Sequence, residues 1–214
     1  MSSKPRHRPF LVVLSAPSGA GKSSICRAVL RRDRGLVYSV SVTTRPKRHN
    51  ERNRRSYIFV TEQEFQRLVR QGALLEHARV YGHYYGTPKR PVLAAFRRGR
   101  DVIADLDIQG MRSCKRLLPG TVAIFVTAPS SQELSRRLLG RGSDSAEELA
   151  RRRAALKEEL AAIPEFDYLI VNDRLADAVE DVLAIIRAER LKTGRCPSLN
   201  GWRHPAVKTE RKGD

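Results

Sequence analysis

The chain has 214 residues, long enough for one domain with a full core and a small inserted subdomain, and no apolar run in it could cross a membrane. Forty-one Lys and Arg against 23 Asp and Glu give a net charge of +18, which fits anionic partners but which a GC-rich genome's arginine usage would also raise, so charge alone decides nothing. Phosphorylated small molecules are such partners, and the basic runs RRDR, KRHNERNRR and ARRR lack the interleaved aromatics of a nucleic-acid surface, so nucleic acid is not expected as the main partner. Three scattered cysteines and five histidines at no ligand spacing exclude a disulfide framework and a zinc site, and reduced thiols in the cytoplasm follow as the default.

Residues 1–8 are basic and read as a flexible end, with no convincing signal-peptide cleavage site after them. The apolar run FLVVL (Phe10–Leu14) reads as a buried strand. It leads into SAPSGAGKSS (Ser15–Ser24) and then into a helix from about Ser23 to Arg32. A strand, a glycine-rich turn, a lysine and a hydroxyl residue opening a helix form a phosphate-binding loop. Backbone N–H groups curl around phosphate oxygens, the helix dipole adds positive potential, and the lysine reaches the outer phosphates. Ala16, Pro17, Ser18, Gly19, Ala20, Gly21, Lys22 and Ser23 are therefore the expected nucleotide-binding residues, with the Ser23 hydroxyl placed for Mg²⁺. Ala16 stands where the usual pattern has its first glycine, which requires a negative φ there.

LVYSVSVTT (Leu36–Thr44) reads as a second strand of the same sheet. From Arg45 to Lys89 the β-α-β rhythm breaks. SYIFV, a helix around Glu62–Gln71 and ALLEHARVYGHYYGT suggest a small mixed sheet with one helix, inserted at the end of the main sheet where it would face the phosphate loop. DVIADLD (Asp101–Asp107), TVAIFVTA (Thr121–Ala128) and DYLIVN (Asp167–Asn172) read as buried parallel strands. Helices are expected near Ile108–Leu118, Ser131–Leu139, Ala146–Ala162 and Leu175–Lys192, the first and last capped by Asp107 and Asp173. The fold class is α/β: a doubly wound parallel sheet flanked by helices. Its core is 9–44 and 90–192 with a lid at about 136–152, the insertion is 45–89, and the polar stretch 193–214 is a second flexible basic end.

Six separated motifs resemble those of guanylate kinases, most closely the bacterial enzymes, over Phe10 to Lys192. They are APSGAGKS (Ala16–Ser23), SVSVTTRPKR (Ser39–Arg48), YYGT (Tyr84–Thr87), DLDIQG (Asp105–Gly110), RLLGRG (Arg137–Gly142) and IVND (Ile170–Asp173). The resemblance implies a P-loop nucleoside monophosphate kinase. Such an enzyme transfers the γ-phosphoryl group of Mg²⁺-bound ATP to GMP, in cytoplasmic purine nucleotide metabolism and GMP recycling.

It also implies roles that suit the chemistry of each residue. Arg45 and Arg48, with Pro46 stiffening the loop, would clamp the monophosphate by forked hydrogen bonds, and Tyr57 and Tyr85 would add neutral donors. Glu76 would read the guanine, since a carboxylate accepts from N1–H and the N2 amino group but faces an acceptor on adenine. Asp105 would be its companion, with Ser41 and Thr87 supplying hydroxyls. Lys22, Arg137, Arg141 and Arg152 would surround the transferring phosphoryl group with positive charge. Asp107 would either join the Mg²⁺ shell or cap a helix, and Asn172 would touch the ATP adenine.

Where the family usually carries glycines, this chain has Asn50 and Arg54, so the loop before Tyr57 is expected to be rebuilt. Three other readings compete. A kinase acting on a ribose bisphosphate has little use for Glu76 and Asp105. A catalytically silent binding module typically lacks the loop lysine or the lid arginines. A nucleic-acid binder would show steep salt dependence. Self-association is compatible with the sequence, which does not fix an oligomeric state.

Overall fold

β1 (Leu11–Ser15) is buried along its whole length because helices cover both faces of its sheet. The computed structural model describes residues 7–48, 51–53, 57–80, 82–139 and 156–196. In chain order the elements after β1 are α1 (Lys22–Arg32), β2 (Leu36–Tyr38), β3 (Val42–Thr43), β4 (Ile58–Phe59) and α2 (Glu62–Arg70). Next come β5 (Leu74–Val80), β6 (His83–Pro88), α3 (Lys89–Arg97), β7 (Asp101–Asp105) and α4 (Ile108–Leu117). The remainder are β8 (Val122–Thr127), α5 (Ser131–Leu139), α6 (described over 156–161), β9 (Tyr168–Val171) and α7 (Leu175–Arg190).

The main sheet is parallel throughout, in the order β2-β7-β1-β8-β9. Alternate residues of β1 feed two cores. Val12 and Leu14 pack with Ile25, Val29, Ile124, Val182 and Ile186 beneath α1 and α7. Leu11 and Val13 pack with Val92, Val102, Ala104, Met111 and Cys114 beneath α3 and α4. Each large side chain so buried contributes about 1.5–3 kcal/mol. Cys26, Cys114 and Cys196 are all free thiols.

The second sheet runs β4-β3-β6-β5, with β3 parallel to β4 and antiparallel to β6, which is antiparallel to β5. Thr61 opens α2 with a reciprocal cap: its hydroxyl accepts from Glu64 N while the Glu64 carboxylate accepts from Thr61 N.

Several sequence expectations change. The single strand expected over Leu36–Thr44 is two short ones in different sheets, β2 against β7 and β3 against β6. The chain passes between sheets through Ser39–Ser41, so the insertion begins before the expected boundary at 44/45. α3 was not anticipated: it starts from Pro88 with no side-chain cap, and only Val92 and Ala95 of its apolar residues are fully buried. Asp107 caps α4 by accepting from Gly110 N at 2.8 Å, but Asp173 caps nothing, because α7 begins from Arg174 without a side-chain cap.

The inner parts of both expected flexible ends are anchored. Arg8 N donates to Arg195 O, and the Arg195 guanidinium lies 4.1 Å from the Phe10 ring centroid. Arg195 also pairs with Glu189 and donates to Gly120 O. Residues 140–152 of the expected lid, the loop residues Asn50 and Arg54, and residues 197–214 lie outside the described residues.

Candidate active site

The loop after β1 turns through two left-handed glycines, Gly19 at φ 93° and Gly21 at φ 91°. Gly21 is also the N-cap of α1 and has no side chain to cap the helix, which leaves the N–H groups of Lys22 and Ser23 to an anion. A Cβ at Gly21 would lie 2.3 Å from Asn172 Nδ2, so this glycine is required twice over. Lys22 lies at the mouth of the loop, its Nζ 3.2 Å from Leu106 O, while Ser15 Oγ donates to the same carbonyl at 2.9 Å. The turn after β7 is thereby tied to the loop.

Asn172 is 5 % exposed, and its amide donates to Ala20 O at 2.7 Å. The sequence put Asn172 against the ATP adenine; here it braces the phosphate loop from below. Arg137 reaches the same corner, donating to Asn172 O at 2.9 Å while paired with Glu133. Arg141 and Arg152, its expected partners around the phosphates, lie outside the described residues.

Across the cleft stands β5. Glu76 is 6 % exposed and accepts from Thr87 Oγ1 at 2.6 Å across the β5–β6 pair, where the two residues are in register. Burial pushes its carboxyl up to about 7. The Thr87 hydrogen bond opposes that rise and the Asp107 charge adds to it. A Cβ placed on Gly110 would lie 3.0 Å from Glu76 Oε2 and 3.1 Å from Asp107 Oδ1, so both carboxylates crowd this glycine. Ser41, at the crossing between the sheets, lines the same cleft with a buried hydroxyl that has no hydrogen-bond partner.

Asp105 lines the same cleft as Glu76, and its hydrogen bonds go to Ser23 and Tyr38. Its Oδ2 accepts from Ser23 Oγ at 3.4 Å, and its Oδ1 accepts from Tyr38 OH at 2.5 Å. Of the two alternatives expected for Asp107, the helix cap is the one seen, and its charge also reaches Glu76. Asp107 shares the Glu76 pocket, and Asp105 faces the phosphate loop. The reason is the pleat and the turn that follows it. Asp105 is the last residue of β7 beside β1, whereas Asp107 lies past the strand end, where the chain bends to enter α4.

The third wall holds Arg45, Arg48, Tyr57 and Tyr85. Arg45 is 13 % exposed on its side chain, with its guanidinium 5.4 Å from the Tyr57 ring centroid and 5.8 Å from that of Phe59. Tyr57 and Tyr85 meet edge to face at 5.9 Å, and burial, then the Asp105 charge, keeps the Tyr57 phenol well above its ordinary range.

Sequence reasoning missed Glu51. It accepts from Arg45 Nη2 at 2.7 Å and Nη1 at 3.1 Å, and from Arg48 N at 2.8 Å. Although burial opposes it, the Arg45 and Arg48 contacts hold this carboxyl below the usual range. Its only sequence signal was an acid three residues after the second arginine of the clamp. The walls enclose a cleft of about 260 Å³ with the loop residues Ala16 to Ser23 on one side and Ser41, Arg45, Glu76 and Tyr85 on the other. A phosphate-binding loop and a second cationic clamp facing one cavity can bring two phosphorylated molecules together.

A family model described as guanylate kinase matches residues 8–189. The guanylate kinase of Carboxydothermus hydrogenoformans is 45 % identical over 189 residues, covering 88 % of this chain and 93 % of that one. The guanylate kinase of Rhodospirillum rubrum is 48 % identical over 189 residues, covering 88 % and 87 %. In three dimensions the fold resembles the crystal structure of guanylate kinase from Anaplasma phagocytophilum, with a TM-score of 0.79, 32 % identity, and 92 % and 95 % of the two chains covered.

Proposed function

The chain belongs to the guanylate kinase family of ATP:GMP phosphotransferases, and from that premise we propose how its own residues divide the work of moving the γ-phosphoryl group of ATP to GMP. The observation that carries the reading is the cleft in which the phosphate loop opposes the buried Glu76 carboxylate, Asp107 and an arginine clamp.

On the ATP side, the N–H groups of Gly19 to Ser23 receive the β-phosphate, and Lys22 moves from Leu106 O to the β- and γ-phosphates. The hydroxyl of Ser23 and the carboxylate of Asp105 are hard oxygen donors side by side, a set that suits Mg²⁺ carried in with the nucleotide. Bound there, Mg²⁺ supplies charge neutralisation along the phosphate chain. Among the described residues no three His, Cys, Asp or Glu side chains are spaced to cage a metal, in keeping with a cation shared with substrate phosphates. Arg137, with Arg141 and Arg152, adds positive charge to the transferring group.

On the GMP side, Glu76 and Asp107 present acceptors to guanine N1–H and N2, and Ser41 Oγ supplies the unused hydroxyl. The phosphate is then gripped by Arg45, Arg48, Tyr57 and Tyr85. Adenine would set an acceptor against a carboxylate in a dry pocket, a mismatch of about 1–3 kcal/mol or more. The test is ADP release with GMP, AMP, UMP and ribose bisphosphate, run on the wild type, Glu76→Gln and Lys22→Ala. GMP alone should support turnover. Glu76→Gln should raise KM for GMP and leave KM for ATP within twofold, and Lys22→Ala should lower kcat by at least about 10² while the protein stays folded. Wild-type kcat in a folded Lys22→Ala, or equal loss of both nucleotides in Glu76→Gln, overturns these assignments.

A further inference from the structure

Asp105 is held by two hydroxyls from separate elements. Ser23, in the first turn of α1, donates to Oδ2, and Tyr38, the last residue of the edge strand β2, donates to Oδ1. In register Tyr38 pairs with Ile103, so its side chain reaches two residues along β7 to meet the carboxylate at the strand's end. The body of the ring is packed against the core that lies under α1, a task phenylalanine would perform equally well. The hydroxyl is therefore surplus to packing, and it is spent on an acid in the cleft.

We propose that Tyr38 is a positioning residue for the donor half of the reaction: by clamping Asp105 Oδ1 it turns Oδ2 toward Ser23 and the Mg²⁺ that accompanies ATP. The inference rests on the reading of Ser23 and Asp105 as the metal-side pair. A carboxylate with one oxygen released can rotate about its terminal torsion, a broad two-fold well with little resistance of its own. The hydroxyl removes that freedom before the nucleotide arrives, as outer-shell partners do for ligating groups generally. The Tyr38 hydroxyl is hydrogen-bonded to Asp105, not to Glu76, Asp107 or Ser41, the residues assigned to guanine.

The experiment compares wild type with Tyr38→Phe, which keeps the packed ring and deletes one hydroxyl. Mn²⁺ binding to the enzyme–ADP complex is read by electron paramagnetic resonance, beside the free-Mg²⁺ dependence of turnover and KM for GMP. Tyr38→Phe should weaken Mn²⁺ in the nucleotide complex about 10-fold and raise the Mg²⁺ requirement, with KM for GMP within twofold. Asp105→Asn should show the same metal loss, and adding Tyr38→Phe to it should weaken Mn²⁺ no further, a result that a general packing defect would not give. Unchanged Mn²⁺ affinity in Tyr38→Phe overturns the proposal, as does a higher KM for GMP with metal binding intact. A wild type that turns over fully in excess chelator overturns the metal-side reading itself, and the proposal falls with it.

Discussion

Glu76 pits stability against function within one side chain. Its carboxyl titrates near 7 against an ordinary 4.5 because it is buried, so folding protonates it between those pH values. The native state then binds more protons than the unfolded chain, and stability declines as pH rises from 4.5 to 7. Above 7 the full penalty remains, about 3 kcal/mol for a shift of this size. Guanine requires the ionised form, the one that burial disfavours. Glu76→Gln should therefore melt several degrees above wild type at pH 8 and alongside it near pH 4.5, while losing GMP affinity at least about 10-fold at pH 8. Differential scanning calorimetry at both pH values and titration with GMP check the two halves. A variant that binds GMP normally would remove Glu76 from base recognition. The residue type and its β5 location were legible in the sequence, as were the loop glycines, whose φ values the turn demands. The approach of Asp107 to Glu76 was not, because Asp105 and Asp107 differ by two positions in sequence and only the bend after β7 separates them in space.

At the level of elements, the motif-bearing strands and helices were legible because their apolar periods and caps agree with the fold. The failures occur where a short segment changes allegiance. Leu36–Thr44 has one continuous β-like composition, and the switch between sheets at Ser39–Ser41 leaves no local mark. The clamp loop is a similar case, since its shape depends on Glu51 bridging Arg45 and the Arg48 backbone, a tertiary bond that composition does not announce. With side chains only 13 % and 14 % exposed, this pair is shielded enough for removal of one partner to matter beyond the scale of a surface ion pair. Glu51→Ala should free Arg45 to take many rotamers and should loosen the turn. KM for GMP should rise about 10-fold, with KM for ATP unchanged and kcat/KM for GMP falling in step. Initial-rate kinetics in both substrates read this directly. Tighter GMP binding in Glu51→Ala would mean that Glu51 competes with the phosphate for Arg45 instead of aligning it.

For the whole molecule, the composition of the last twenty-odd residues pointed to a dispensable appendage, and the structure moves that boundary. Arg195 is sandwiched between the Phe10 ring and Glu189, itself 1 % exposed, and its guanidinium also donates to Gly120 O before β8. At the same end of the sheet, Asp101 takes His7, Phe10 N and Arg190 on one buried carboxylate, fastening the first strand to the last helix. Residues 7–10 and 190–195 thus meet at the bottom of the sheet, opposite the cleft. A truncation after Cys196 keeps all of these contacts and should leave GMP kinase activity and melting temperature near those of the full chain. A truncation after Lys192 removes Arg195 and leaves Glu189 with Tyr168 and Lys192 only. A buried carboxylate deprived of one ionic partner costs about 3 kcal/mol, which for a chain of this size lowers the melting temperature by roughly 5–10 °C. Because the lost contacts are far from the substrates, KM for both nucleotides should stay within twofold at 25 °C. Equal melting of the two truncations would show that Arg195 is a surface contact, and a drop already present after Cys196 would place a structural role in residues 197–214.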